Sequence, residues 1–368
     1  MIVNDELGNL VRLGDYIEVY DLKNIDSQDL QFCGINKDKT FMPTVADTNE
    51  LDSSKYKIVK KDMFVFSGMQ TGRDVCIRLA LFDKTDSILV SPAYTTFVVK
   101  DKTVILPEYL FIQFNRFGMD RYGWFLSDGS VRSNLDWNVF CDIQIPLPDI
   151  NIQQELVYTY NGLKALAEQN EALIKPLTDA CRAYISECKK KYDEAELGKV
   201  INQRREKYSG TQSLPIRGVS NDGFIPPKQK DADLSKYNVF YKDDFVFNPA
   251  RMELNSIALN TDLDKGICSS LYEVFSVDSS AVLPEYLNLF IKRSEFARQC
   301  EYIGFGSARE YCRVNNISEI KFPLPPPEVQ QAIVNLYNCA EEAKKIASEA
   351  REKMKTLCPA LVQKAING

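Results

Sequence analysis

The chain of 368 residues is long enough for about two domains at roughly 100–200 residues each. Its composition, 45% hydrophobic and 26% charged, is that of a soluble globular protein. Histidine is absent, which excludes Ser-His-Asp and Cys-His catalysis; the net charge of -6 argues only weakly against nucleic acid, because such binding depends on where Lys and Arg lie.

The first residues, Met1-Ile2-Val3-Asn4-Asp5-Glu6, have neither the basic nor the apolar part of a signal peptide. No apolar run reaches the ~18–20 residues of a membrane span, so a cytoplasmic location is expected. Leu13-Gly14 opens a mixed unit in which apolar, β-branched and aromatic runs predict strands at 16–19, 63–66, 75–81, 87–90 and 95–99. Leu106-Pro107-Glu108-Tyr109-Leu110 starts a short helix with Pro in its first turn. After Pro148 the pattern changes to a heptad seam: Leu156, Tyr160, Leu163, Ala167, Asn170, Ile174, Leu177, Cys181, Tyr184 and Cys188.

Leu197-Gly198 then opens a second unit, with strands predicted at 245–247, 256–259 and 272–277. A second seam follows Pro327: Val329, Ile333, Leu336, Ala340, Ala343, Ala347, Ala350, Met354, Leu357 and Leu361. The two units are copies. Ser54-Lys55-Tyr56 matches Ser235-Lys236-Tyr237, and Lys61-Asp62-Met63-Phe64-Val65-Phe66 matches Lys242-Asp243-Asp244-Phe245-Val246-Phe247, both at an offset of 181. At an offset of 177, Leu106–110 recurs unchanged as 283–287, Gly129-Ser130-Val131-Arg132 becomes Gly306-Ser307-Ala308-Arg309, and Ile145-Pro146-Leu147-Pro148 with Gln153-Gln154 becomes Phe322-Pro323-Leu324-Pro325 with Gln330-Gln331.

Such a duplication implies pseudo-twofold symmetry within one chain. The predicted fold class is α+β: two mixed α/β domains, 1–148 and 197–326, separated by two long helices, 149–196 and 327–368, that pack as an antiparallel coiled coil. At ~1.5 Å per residue a 40-residue helix spans ~60 Å, a spacer long enough to set two domains over separate patches of duplex. Asn170 on the seam either fixes register or is merely tolerated near a polar group. Pro176 and Pro359 are expected to kink or break the helices. Ten cysteines without a C-x-x-C pair predict reduced, mostly buried thiols in place of a zinc site.

Taken in order, the Leu-Gly opening, the Lys-Asp-x-Phe-Val-Phe strand, the Gly-Ser-x-Arg segment, the [Ile/Phe]-Pro-Leu-Pro…Gln-Gln element and the long helix, all present twice, resemble the specificity (S) subunit of type I restriction-modification systems. The resemblance covers about residues 10–366, and 359–365 look like that family's last helix. It implies two target-recognition domains, each reading one half of a split sequence in double-stranded DNA, with the helices as a ruler for the gap. It also implies two methyltransferase (modification) subunits and the restriction (translocase-nuclease) subunits as partners. S-adenosylmethionine, ATP and Mg would then belong to those partners, and this chain would hold no cofactor and catalyse nothing.

Base edges are read by Arg, Lys, Asn or Gln, and phosphates by Lys, Arg, Ser and backbone amides. In unit one the best stretch follows the central strand: Ser67, Gln70, Thr71 and Arg73, with Arg78 beyond. The equivalent place in unit two carries Asn248, Arg251 and Asn255. These stretches diverge between matched flanks, as two different half-sites require. Ser130/Arg132 and Ser307/Arg309 are shared, which suits phosphate contacts or an Arg bracing a turn. Arg121, Tyr122, Lys228, Lys230 and Arg313 form a further set that a solvated surface explains equally well.

Asn248-Pro249-Ala250-Arg251 lacks the aromatic of the amino-methyltransferase motif it resembles, and no G-x-x-x-x-G-K-[ST] loop exists for ATP. Glu319-Ile320-Lys321 lacks the upstream Asp of a nuclease motif. Two alternatives remain: the specificity subunit of a type IIB system, and a coiled-coil protein-interaction scaffold that does not touch DNA.

Overall fold

The structure, a computed structural model, describes residues 10–44, 51–69, 71–116, 118–129, 133–210, 212–227, 233–304 and 311–367; for residues 72, 73 and 357–367 it describes the backbone alone. The fold is a mixture of helix and sheet, as expected, and divides into two compact units. Unit one comprises Met1–Asn170 with Lys345–Gly368, and unit two comprises Glu171–Lys344. No helix among the described residues is long and apolar enough to cross a membrane.

Among the described residues unit one has ten strands: β1 (Leu10–Arg12), β2 (Ile17–Val19), β3 (Phe32–Ile35), β4 (Phe41–Pro43), β5 (Lys57–Val59), β6 (Phe64–Ser67), β7 (Arg78–Leu81), β8 (Ile88–Val90), β9 (Thr95–Val99) and β10 (Gln144–Pro146). They form sheets of order β2-β9-β6-β7 and β4-β3-β8-β5, plus the pair β1-β10. Only β3 and β8 run parallel among these pairs. The alternation of β6 fixes the layers. Phe64 and Phe66 point into a core with Phe97, Leu110, Phe114 and Phe140, whereas Val65 points into a second core with Cys33, Ala80 and Val90. A strand buried on both faces reads as an unbroken apolar run, which is what Phe-Val-Phe is.

Unit two repeats this plan with β11 (Glu194–Glu196), β12 (Ile201–Arg204), β13 (Ile216–Ser220), β14 (Gly223–Ile225), β15 (Asn238–Tyr241), β16 (Phe245–Phe247), β17 (Ile257–Leu259), β18 (Lys265–Cys268), β19 (Glu273–Val277) and β20 (Lys321–Pro323). The sheet orders are β12-β19-β16-β17, β14-β13-β18-β15 and β11-β20, strand for strand the same. The equivalence extends to side chains. Phe64 lies opposite Phe97 and stacks on it at 4.8 Å; Phe245 lies opposite Phe275 and stacks at 4.9 Å. Asp62 and Asp243, which precede these strands, hold left-handed φ values of 67° and 64°, a conformation that Asp tolerates better than most residues.

The recurring motifs close each unit. Gln153, fully buried, accepts a hydrogen bond from Leu106 N (2.9 Å) and donates to the carbonyls of Val104 and Pro148 (both 2.9 Å). Gln330 does the same with Leu283 N (2.8 Å) and the carbonyls of Ala281 (3.3 Å) and Pro325 (2.8 Å). Tyr109 and Tyr286 donate their hydroxyls to the carbonyls of Pro146 (2.7 Å) and Pro323 (3.0 Å). The Leu-Pro-Glu-Tyr-Leu helix, the Pro-Leu-Pro segment and the start of the long helix are thus one clasp, made twice.

The two long helices, Ile150–Lys191 and Pro327–Asn367, each contribute to both units. In unit one Leu156 and Ala167 of the first helix are buried, as are Ala347, Ala350 and Met354 of the second. In unit two Cys181, Ile185 and Cys188 pack in one core with Ile333 and Val334, the Cys181 Sγ lying 4.0 Å from the Ile333 carbonyl. Two expectations are corrected. Tyr184 is 59% exposed, because Ile185 takes the inward position and keeps the spacing of four and three through 181, 185 and 188. Both helices are continuous through Pro176 and Pro359, so of the expected kink or break the break does not occur. Asn170 Nδ2 donates to the carbonyl of Leu166 one turn back (2.8 Å), a bond within its own helix. Seven of the nine described cysteines are buried, and all nine are free thiols.

Candidate nucleic-acid interface

In each unit the loop after the central strand is tied to the segment that follows Gly-Ser-x-Arg. In unit one Leu135 N donates to the Gly68 carbonyl (2.8 Å) and Thr71 N to the Ser133 carbonyl (3.0 Å). In unit two Cys312 N donates to the Pro249 carbonyl (2.9 Å). Gly68 and Pro249 are equivalent at an offset of 181, and Leu135 and Cys312 at 177. The structure therefore joins two stretches about 60 residues apart in sequence, and does so identically in both copies.

The loop chemistry between these matched ties differs. In unit one Ser67 and Thr71 turn inward, at 8% and 2% exposure, and the Thr71 hydroxyl donates to the Gly68 carbonyl (2.9 Å). A Cβ on Gly68 would stand 2.1 Å from the Leu135 carbonyl oxygen, so this approach requires glycine. Met69 is exposed. Arg78, which opens β7, pairs with the Asp74 carboxylate, and its Nε is buried without a hydrogen-bond partner. Gln70, Ser130, Arg132, Ser307, Arg309, Lys228 and Lys230 lie outside the described residues, as does the side chain of Arg73.

In unit two Asn248 caps a short 3-10 helix, Pro249–Leu254, its Oδ1 accepting from Ala250 N (3.1 Å). Asn255 ends that helix at a left-handed φ of 57°, with its Oδ1 buried and unpartnered. Lys292 reaches this end from below and donates to the carbonyls of Asn221 (2.9 Å), Ile257 (2.7 Å) and Asn255 (3.4 Å). Burial holds its ammonium below the ordinary lysine range. Arg251 projects from the helix, exposed and without an ion pair among the described residues.

Arg251 and Asn248 face a cleft of about 680 Å³ that Arg217, Leu271, Tyr311 and Arg313 also line. Arg217 is held by Asp262 (2.7 Å), and Arg313 by Glu273 (3.0 Å) and by the Tyr311 ring (5.4 Å). Three guanidinium groups, two aimed by carboxylates and one free, with an exposed Leu271, form a surface suited to phosphates and base edges. Arg217 was not legible in the sequence, because it sits on a strand outside the divergent loop; Arg313 was among the further set, and the structure brings it to this cleft. Arg121 and Tyr122 lie elsewhere, in unit one, on the helix Met119–Leu126 beside a cleft of about 630 Å³.

Comparisons with known proteins bear on the family and fold of the chain. Residues 191–338 match a family model described as the type I restriction modification DNA specificity domain. The chain is 20% identical over 349 residues to a protein of Methanocaldococcus jannaschii that carries the name of a type I restriction enzyme MjaX specificity subunit; the match covers 86% of this chain and 80% of that one. It shares its fold with the crystal structure of the type I restriction-modification system S subunit from M. genitalium, at a TM-score of 0.63 and 12% identity, over 99% of this chain and 97% of the other. The resemblance carried by the duplicated motifs is borne out.

Proposed function

Starting from a chain of the type I restriction-modification specificity kind, with its DNA specificity domain at 191–338, we infer that it reads a bipartite target in double-stranded DNA, one half-site per unit. The observation that supports this most is the pair of dissimilar loops hung on identical ties: Leu135 to Gly68 in one unit, Cys312 to Pro249 in the other. A frame that is duplicated while its loops are not is what two different half-sites demand. In unit two Arg251, Arg217 and Arg313 are the base or phosphate contacts, and Asn248 and Asn255 shape the loop that presents Arg251. In unit one the contacts come from the stretch around Met69 to Arg73, with Ser67, Thr71 and Arg78 bracing it.

The chain itself catalyses nothing. It works in the cytoplasm with two modification subunits, which bring S-adenosylmethionine, and with restriction subunits, which bring ATP and Mg. A docking role for the first long helix is supported by its exposed apolar side chains, Tyr158 and Leu166 in unit one and Leu173 and Tyr184 in unit two; the described part of the second helix exposes no large apolar side chain. The test is methylation-site sequencing of DNA from cells that express the chain with its neighbouring modification subunit. A split adenine motif that changes in one half only when residues 67–78 are exchanged supports the reading. If the purified, assembled complex shows neither methylation nor salt-sensitive DNA binding, the reading fails.

A further inference from the structure

Each unit carries a short helix just before its Gly-Ser-x-Arg segment: Met119–Leu126 in unit one and Ser294–Gly304 in unit two. The offset of 177 aligns them residue by residue. Met119 and Gly123 are buried in the first, and their equivalents Phe296 and Cys300 are buried in the second. The outward face also matches. Phe125 is 79% exposed and its equivalent Tyr302 is 85% exposed. One turn earlier stand Arg121 and its equivalent Arg298, both exposed and neither in an ion pair among the described residues. Side chains four apart on a helix are neighbours, so each unit presents one free guanidinium beside one bare aromatic ring.

Among the described residues neither half of this pair serves the fold. An aromatic left in water forgoes its burial energy, and a lone Arg gains nothing from an exposed site. Their setting says what they meet. In unit one Phe125 and Arg121 share their cleft with Trp124, Gly129 and Ser133, and the Ser133 carbonyl accepts the Thr71 amide of the reading loop. Asp128, just past the helix, is bonded twice to Asn134, next to the residue that ties Gly68 (Asp128 N to the Asn134 carbonyl, 3.0 Å; Asn134 N to Asp128 Oδ1, 2.8 Å). Phe125 precedes the tying residue Leu135 by ten positions, and Tyr302 precedes Cys312 by ten.

We propose that Arg121–Phe125 and Arg298–Tyr302, written as pairs, are matching DNA grips, one per half-site: the Arg neutralises a phosphate and the ring packs against bases in the adjoining groove. The proposal rests on the DNA-reading function above. A cation is complementary to the phosphates of a duplex, and an exposed ring to the apolar surface of the base edges beside them. Because both units share the pair while their loops differ, the grips hold any sequence, and the loops choose among sequences.

The test uses the purified full chain and a fluorescent random-sequence duplex of about 40 base pairs, with anisotropy titrations across a range of salt. Removing both guanidiniums, Arg121→Ala with Arg298→Ala, lowers the slope of log affinity against log salt by about 1.8, at about 0.9 per phosphate contact. Phe125→Ala with Tyr302→Ala weakens binding by tenfold or more, because two aromatic side chains no longer bury their surface in the groove, and leaves the slope unchanged, since no charge is lost. Phe125→Tyr and Tyr302→Phe retain binding. All these side chains are exposed, so unchanged thermal melts are the folding check. If wild type fails to bind duplex, the DNA-reading function falls and the grips fall with it. If wild type binds and Arg251→Ala weakens it while the four grip positions have no effect, the grips alone are overturned. Loss of co-purification with a modification subunit, with DNA binding intact, also overturns them and assigns the pair to protein docking.

Discussion

Replacing Gln330 with Leu tests whether the duplicated clasp holds unit two together. Gln330 is 1% exposed and makes three hydrogen bonds, to Leu283 N, the Ala281 carbonyl and the Pro325 carbonyl. At about 1 kcal/mol net for each bond the loss is about 3 kcal/mol, and the stranded Leu283 amide adds roughly 1 more. Leucine, of similar volume, returns roughly 1 kcal/mol through its apolar surface. The net cost is about 3 kcal/mol, or roughly a hundredfold in an opening equilibrium. Hydrogen-exchange mass spectrometry on peptides covering 281–291 should show that loss of protection. Gln331→Leu is the control, since Gln331 is exposed and, among the described residues, its side chain bonds only to Asn335. Gln153→Leu should act in the same way on unit one. A cost below about 1 kcal/mol at Gln330, or an equal effect at Gln331, would refute the argument that the first glutamine of each Gln-Gln pair is a buried strut.

Other outcomes follow from the same geometry. Gly68→Ala must displace the Leu135 carbonyl, which a Cβ would meet at 2.1 Å; it should cost about 1–3 kcal/mol and change the methylation motif in the unit-one half only, as read by methylation sequencing. The Asp52, Asp101, Asp233 and Asp278 carboxylates each accept from a Ser or Thr two residues on, and those hydroxyl bonds hold all four below the usual carboxylate range. A depressed folded pKa stabilises above the unfolded value, about 3.9, and that support is lost as pH falls through the folded value. Changing all four to Asn should therefore lower the urea midpoint at pH 5–7, where the carboxylates contribute, and so flatten its fall below about pH 4; an unaltered acid limb would sink the idea. Burial pushes the Cys268 thiol up to about 12, whereas Cys339 is exposed, so iodoacetamide at pH 8 should label Cys339 in the native chain and reach Cys268 only after unfolding. Early labelling at Cys268 on a peptide map would count against the fold of β18.

Much of the architecture was legible because it was written twice. The Phe-Val-Phe strands, the helix begun by Pro107 or Pro284, and the two long helices emerge where predicted, since burial and proline leave marks that spacing alone can read. The second sheet of each unit was missed almost entirely. Its strands are three to five residues long, and its parallel partners, such as β3 and β8, are far apart in sequence, so no local period announces them. The seam slipped at Tyr184 because Ile185 is equally apolar, and only packing chooses between adjacent residues. At the candidate site, the divergence of the loops was visible, but the burial of Ser67 and the inward turn of Thr71 were not, because the Thr71 hydroxyl, which bonds the nearby Gly68 carbonyl, looks in sequence like one offered to a ligand. The outward match of Arg121 and Phe125 with Arg298 and Tyr302 was written at the same offset as the motifs, yet those residues are not alike enough in their surroundings to stand out until exposure is known.

The division of the long helices between the units also sets an order of synthesis. Unit two is contiguous, residues 171–344, and is complete once those residues have left the ribosome. Unit one's larger part precedes unit two in the chain but draws on residues 345–368, which follow it, so that earlier part waits for the later one. A stop near residue 344 would accordingly harm unit one more than unit two. During synthesis unit one's share of the first long helix, with Leu156 and Ala167, is made about 175 residues before unit one's share of the second, with Ala347, Ala350 and Met354, an interval in which a chaperone or a neighbouring nascent chain can cover its apolar side chains.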